Sequence, residues 1–90
     1  MEKLSFEAIH DAIRSNRYFI TAHAKLRMGQ RRVSNSDLKE AIYKGKIINT
    51  DLKSKPYPKA IIEAEIEEET YTVVCAFDGT HAYIITVWVE

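Results

Sequence analysis

The strongest constraint on this chain is a change of hydrophobic period at Gly45–Lys46. Before it, apolar residues recur at helical spacing. After it they alternate, as in strands. Phe6, Ile9 and Ile13 follow the i, i+3, i+7 pattern of a buried helix stripe. Ser5 can cap that helix, and Glu7 in its first turn suits the positive end of the dipole. Ser15-Asn16 ends it, and His10 reads as a surface residue on it. Phe19-Ile20 reads as a short apolar hinge. Thr21 then caps a second helix reaching about Gln30. Ser34-Asn35-Ser36-Asp37 has the form of a capping box and opens a third helix, with Leu38, Ala41 and Ile42 on its buried face. Gly45 closes that helix, in the left-handed conformation by expectation.

Beyond Lys46 the spacing predicts strands. Ile47–Thr50 is a short one. Lys53–Pro58 is a loop, because two prolines in three residues exclude a central strand. Ala60–Ile66 alternates, with Ala60, Ile62, Ala64 and Ile66 on one face. Glu67–Glu69 reads as a solvated turn. Tyr71–Phe77 and Thr80–Val89 flank Asp78-Gly79, a hairpin signal. A two-residue turn pairs Ala76 with His81 and Val74 with Tyr83. Tyr71, Val73, Cys75 and Phe77 then share a face with Ala82, Ile84, Thr86 and Trp88. Both faces of this hairpin are largely apolar, which predicts cover on both sides. Cys75 reads as a core residue. The fold class is α+β: two to three N-terminal helices packed on a C-terminal antiparallel sheet of about four strands. Residues 1–90 make a single domain, long enough for one modest core.

Composition narrows the function. Hydrophobic residues are 46% and charged residues 29% of the chain, as in globular domains. No apolar run reaches the ~18 residues of a membrane span, and Met1–Leu4 does not resemble a secretory signal. Cys75 is the only cysteine, so there is no internal disulfide and no zinc-type spacing. A cytoplasmic location and no membrane partner follow as expectations. All thirteen Lys and Arg lie within residues 1–59, against six acids, a net +7; residues 60–90 carry seven acids and no base. A basic block can hold polyanions. Alternatively, the two blocks neutralise each other across the fold.

The second helix carries the candidate chemistry. At about 100° per residue, His23, Arg27, Gln30 and Arg31 fall within roughly a quarter-turn. Ala22 and Leu26 flank this stripe on one side and Ala24 and Met28 on the other, which predicts that it lines a groove. An imidazole can move a proton near pH 7, and guanidiniums grip phosphate oxygens with forked hydrogen bonds. That is equipment for a phosphodiester. The competing readings are structural. His23 can bond a backbone carbonyl and fix the helix to the sheet, and Arg27 can pair with Glu63 or Glu65.

Ile20-Thr21-Ala22-His23-Ala24-Lys25-Leu26-Arg27-Met28-Gly29-Gln30-Arg31 resembles the "ITxHAxxRMxxR" opening of a large, mostly uncharacterised prokaryotic family. Val33-Ser34 and Asp37–Ile42 resemble its following helix, Gly45–Ile48 its strand entry, Pro56-Tyr57-Pro58 its "PYP" loop, and Ile84–Val87 its ending. That family is thought to share the fold of RelE-like toxins, with the BrnT and MqsR groups, and its members often stand beside an antitoxin-like partner. The resemblance implies a toxin of a toxin–antitoxin pair, a metal-independent endoribonuclease with no cofactor, acting on mRNA free or on the ribosome. Two departures stand out: Tyr71-Thr72 where the family commonly has a His, and Trp88 where it commonly has a Tyr.

RelE-like cleavage needs a base at the attacking 2′ oxygen, an acid at the departing 5′ oxygen and fixed cations for the charge that builds on phosphorus-bound oxygens. On this reading His23 is base or acid, and Arg27 and Arg31 hold phosphate. His81 or Tyr83 supplies the second proton transfer. Tyr57 stacks on a base, and Lys53, Lys55 and Lys59 contact the backbone. Tyr57 also reads as simple packing and His81 as an exposed turn residue. The partners are RNA or the ribosome and a cognate antitoxin protein; a homo-oligomer is left open. The alternative functions are a non-catalytic protein-interaction module and an RNA-binding module that does not cleave.

Overall fold

A computed structural model describes residues 5–90, so the reading of Met1–Leu4 as no secretory signal lies outside the described residues. Three helices, α1 (Phe6–Arg14), α2 (Ala22–Arg31) and α3 (Asn35–Lys44), form where the caps predict. The Ser5 hydroxyl accepts from the Ala8 N–H at 3.0 Å and that of Thr21 from the Ala24 N–H at 3.2 Å. The capping box is complete: Ser34 Oγ accepts from the Asp37 N–H and Asp37 Oδ2 from the Ser34 N–H, each at 3.0 Å. Each such cap satisfies a backbone donor the helix leaves open, worth about 1 kcal/mol.

The strands are β1 (Tyr18–Ile20), β2 (Lys46–Asp51), β3 (Lys59–Ile66), β4 (Glu69–Phe77) and β5 (Ala82–Val89). They make one sheet in the order β1-β5-β4-β3-β2. One face of it meets the helices. There Ile9, Ile13, Leu38 and Ile42 pack on Ile62, Val73, Cys75, Ile84 and Val87, all fully buried. Burial of each large aliphatic side chain contributes roughly 1.5–3 kcal/mol. Cys75 is in this core as expected, and burial pushes its thiol up to about 12. That keeps it protonated and unreactive.

The α+β class stands, but the sheet has five strands and is mixed. The Phe19-Ile20 hinge is the middle and end of β1, which runs parallel to β5 with Tyr18 opposite Ala82 and Ile20 opposite Ile84. Three residues are too few to show a period, so only the partner strand defines this one. The hairpin also differs. Phe77 pairs with Ala82 and Ala76 with Tyr83, around a four-residue loop rather than a two-residue turn. The register then slips by one between Val74 and Cys75, leaving Ile85 as the extra residue of a bulge. Because side chains alternate, one extra residue swaps the faces beyond it. Val87 turns into the core, while Thr86 and Trp88, expected beside Val73 and Cys75, turn to the opposite face.

That opposite face has no helix layer. Ile61, Val74 and Tyr83 on it are half-buried, and only loop residues such as Tyr57, which stacks on Tyr83, lie over part of it, contrary to the expected cover on both sides. Gly45 is extended (φ −81°, ψ −174°), not left-handed. Left-handed residues follow the other two helices instead: Asn16 after α1 at φ 60°, and Arg32, which ends α2 at φ 58° with the Val33 N–H donating to Met28 O at 2.8 Å. His10 is half-buried between α1 and α3 rather than on the surface. Its Nε2 lies 2.8 Å from Ile42 O, and its ring packs 4.1 Å from that of Phe6.

Candidate nucleic-acid interface

On the helix-free face, residues far apart in sequence bring four rings into a row. Phe19 of β1 stacks on Tyr83 of β5 because the two strands pair there. Its ring centroid is 5.5 Å from those of both Tyr83 and His81, with the planes 24° and 26° apart. Tyr57, carried by the loop before β3, continues the row at 5.5 Å from Tyr83 and 13° from its plane. Phe19 is 54% exposed, so much of its ring is open to solvent.

The loop from Asp78 to His81 holds one end of the row. Asp78 Oδ1 accepts from the backbone N–H groups of His81 (2.7 Å) and Thr80 (2.8 Å), and Oδ2 accepts from the Tyr83 hydroxyl at 2.9 Å. These donors, the His81 N–H foremost, hold the Asp78 carboxyl below the ordinary aspartate range. The same bond from Tyr83 to Asp78 raises the Tyr83 hydroxyl above the ordinary phenol value, so it stays protonated.

Helix α2 borders this face along the edge of β5. At its start, the Thr21 hydroxyl donates to Ile84 O at 2.9 Å, and the Thr21 N–H donates to the same oxygen at 3.1 Å. At its end, the Arg31 guanidinium lies 3.7 Å from the centroid of Trp88, and that of Arg27 lies 5.5 Å away. Helix and strand therefore run side by side in the same direction. Trp88 reaches the arginines only because the Ile85 bulge has turned it to this face. Arg27 donates to Gln30 Oε1 at 3.5 Å. Among the described residues neither arginine has an acidic partner; the ion pairs are Arg14–Asp11, Arg17–Asp11 and Lys44–Glu40. Glu63 and Glu65 lie instead by Lys44 and Lys46, around a separate hollow. No ion pair among the described residues joins the basic block to the acidic one.

Against Tyr57 and Tyr83 of the row, and reaching the Thr21 cap of α2, lies a mostly apolar cleft of about 310 Å³, lined by Thr21, Lys55, Pro56, Tyr57, Lys59, Ala76, Tyr83 and Ile85. Residues 20–89 match a known family, described as a domain of unknown function (DUF4258). The chain belongs to that family. Neither the search of curated proteins nor that of solved structures found a match.

The DUF4258 region takes in α2 and all of β2 to β5, hence the cleft and the arginine–tryptophan cluster. It leaves out α1, and with it His10, and begins one residue after Phe19. Within it, the residues singled out from sequence fall into three groups. Tyr57, Tyr83, Lys55 and Lys59 meet at the cleft, with His81 joined to them through Phe19. Arg27 and Arg31 meet at Trp88, and His23 stands one helical turn before Arg27 with its side chain exposed and no hydrogen-bond partner among the described residues. Lys53 is exposed in the loop after β2 and joins neither group.

The groove predicted around the α2 stripe is walled on one side only. Ala24 and Met28 are buried, but Leu26 is 60% exposed. Sequence reasoning missed Phe19, Trp88 and Asp78 as parts of this surface. Nothing local marks Trp88, because its face depends on the bulge. Nothing local marks Phe19 either, because Tyr18, Phe19 and Ile20 are all apolar. No helix among the described residues is long and apolar enough to cross a membrane.

Proposed function

We propose that this chain binds single-stranded RNA across the helix-free face and cleaves it by attack of a 2′-OH on the adjacent phosphorus, as the metal-independent toxin of a toxin–antitoxin pair. One observation carries the reading. Two arginines without acidic partners stand over Trp88, bordering the face that carries the row of rings. Guanidiniums so placed suit phosphate oxygens, and rings suit bases.

In the cleavage step a base removes the 2′ proton as the new O2′–P bond forms. An acid protonates the 5′ oxygen as its bond to phosphorus breaks. His23 takes one of these roles. Arg27 and Arg31 neutralise charge on the non-bridging oxygens. Tyr83, kept as a phenol by Asp78, suits the acid, and His81 is the other group for that role.

The same Tyr83–Asp78 bond favours a second reading, RNA binding without cleavage, because a proton already shared with a carboxylate transfers less readily elsewhere. The test is incubation of RNA with the wild-type protein and with His23→Ala, with and without ribosomes. Cleavage that the variant abolishes supports the nuclease. Binding with no cleavage under either condition refutes it in favour of the binder. For the toxin assignment, induction in bacteria is expected to stop growth, and a co-expressed neighbouring gene product to restore it.

A further inference from the structure

The cleft beside Tyr57 has a second property that bears on what the surface accepts. It is lined by the rings of Tyr57 and Tyr83, which stack on each other, by Ala76 and Ile85, and by Lys55 and Lys59 as its charged residues. A volume of about 310 Å³ lies at the lower end of small-molecule sites. Reading a base requires donors and acceptors held rigidly in pairs against its edge. The hydroxyls here are largely committed elsewhere. Thr21 Oγ1 donates to Ile84 O and accepts from the Ala24 N–H, and the Tyr83 hydroxyl donates to Asp78. The Tyr57 hydroxyl can both donate and accept, so it discriminates nothing. The two ammonium groups are donors on long flexible stems, suited to a phosphate.

We propose that this cleft holds one nucleobase of a single strand by ring contact, with its phosphate on Lys55 and Lys59, and does not read which base it is. This rests on the RNA reading above and adds its specificity: sequence-tolerant occupancy of one defined position.

The test is an NMR titration of isotope-labelled protein with AMP, GMP, CMP and UMP, with ribose 5-phosphate as the base-free probe. The four nucleotides are expected to shift the resonances of Tyr57, Tyr83 and Ile85, with dissociation constants within about threefold of each other. Ribose 5-phosphate is expected to bind at least tenfold more weakly. Tyr57→Ala is expected to weaken the nucleotides tenfold and leave ribose 5-phosphate unchanged, with Tyr57→Phe restoring them. A preference above tenfold for one base, or shifts confined to residues outside the cleft, overturns the proposal. Nucleotide binding in the cleft by a protein that cleaves no RNA sinks the nuclease reading alone. RNA cleavage that Tyr57→Ala leaves unchanged, with no cleft shifts, sinks the cleft alone.

Discussion

Replacing Gly45 with alanine tests whether the junction between α3 and β2 is limited by space or by backbone conformation. A Cβ at Gly45 would stand 2.7 Å from Ala41 O, 2.8 Å from Glu63 O and 2.8 Å from Ile62 Cγ2. Two of the three are backbone atoms of α3 and β3, which cannot swing aside as a side chain can. Overpacking of this kind costs about 1–3 kcal/mol. The Gly45 N–H also donates to Ala41 O at 2.9 Å, a bond that any shift would lengthen, at a cost of up to about 1 kcal/mol. Stiffening of the unfolded chain offsets roughly 0.4–1 kcal/mol of this. The net expectation is a loss of about 2 kcal/mol. In a domain of this size that lowers Tm by about 8–16 °C, at roughly 4–8 °C per kcal/mol. Urea denaturation and thermal melts read it directly. Gly45→Asn separates the two explanations. A left-handed helix end tolerates asparagine well, whereas a crowded extended one suffers more from asparagine than from alanine. Stability of Gly45→Ala within about 0.5 kcal/mol of wild type, or an asparagine variant better than the alanine one, refutes the crowding argument.

Three further outcomes follow from the same geometry. The two-residue turn between β3 and β4 has both Glu67 (φ 52°) and Glu68 (φ 71°) left-handed, so Glu67→Asn with Glu68→Gly is expected to raise stability by about 1–2 kcal/mol in denaturant titrations. The Asp78 carboxyl has a folded value below its unfolded one, so its contribution is complete above the unfolded value near pH ~4 and is lost as pH falls through the folded value. The stability difference between wild type and Asp78→Asn should therefore shrink on acidification below that point, and a difference constant from pH 7 to pH 3 would count against the clamp. If Arg27 and Arg31 each hold a phosphate, alanine at either should reduce the slope of log affinity against log salt for single-stranded RNA by about 0.7, without changing sequence preference.

The legible parts of this protein were those whose causes lie within a few residues. Ser5, Thr21 and the Ser34–Asp37 pair marked the helix starts, since a cap acts over three residues. The helical stripe from His23 to Arg31 follows from a fixed turn angle. The alternation in Ala60–Ile66 showed which side of β3 would be buried, because strand side chains alternate whatever the partner. Tertiary structure alone decided the rest. Tyr18–Ile20 became a strand only because β5 offered it a parallel partner. The Ile85 bulge, which turns Val87 inward and Trp88 out toward Arg31, is a compromise between two paired strands and has no signature in either. The row of Phe19, Tyr57, Tyr83 and His81 joins positions from both ends of the chain, and only strand order and register bring such positions side by side.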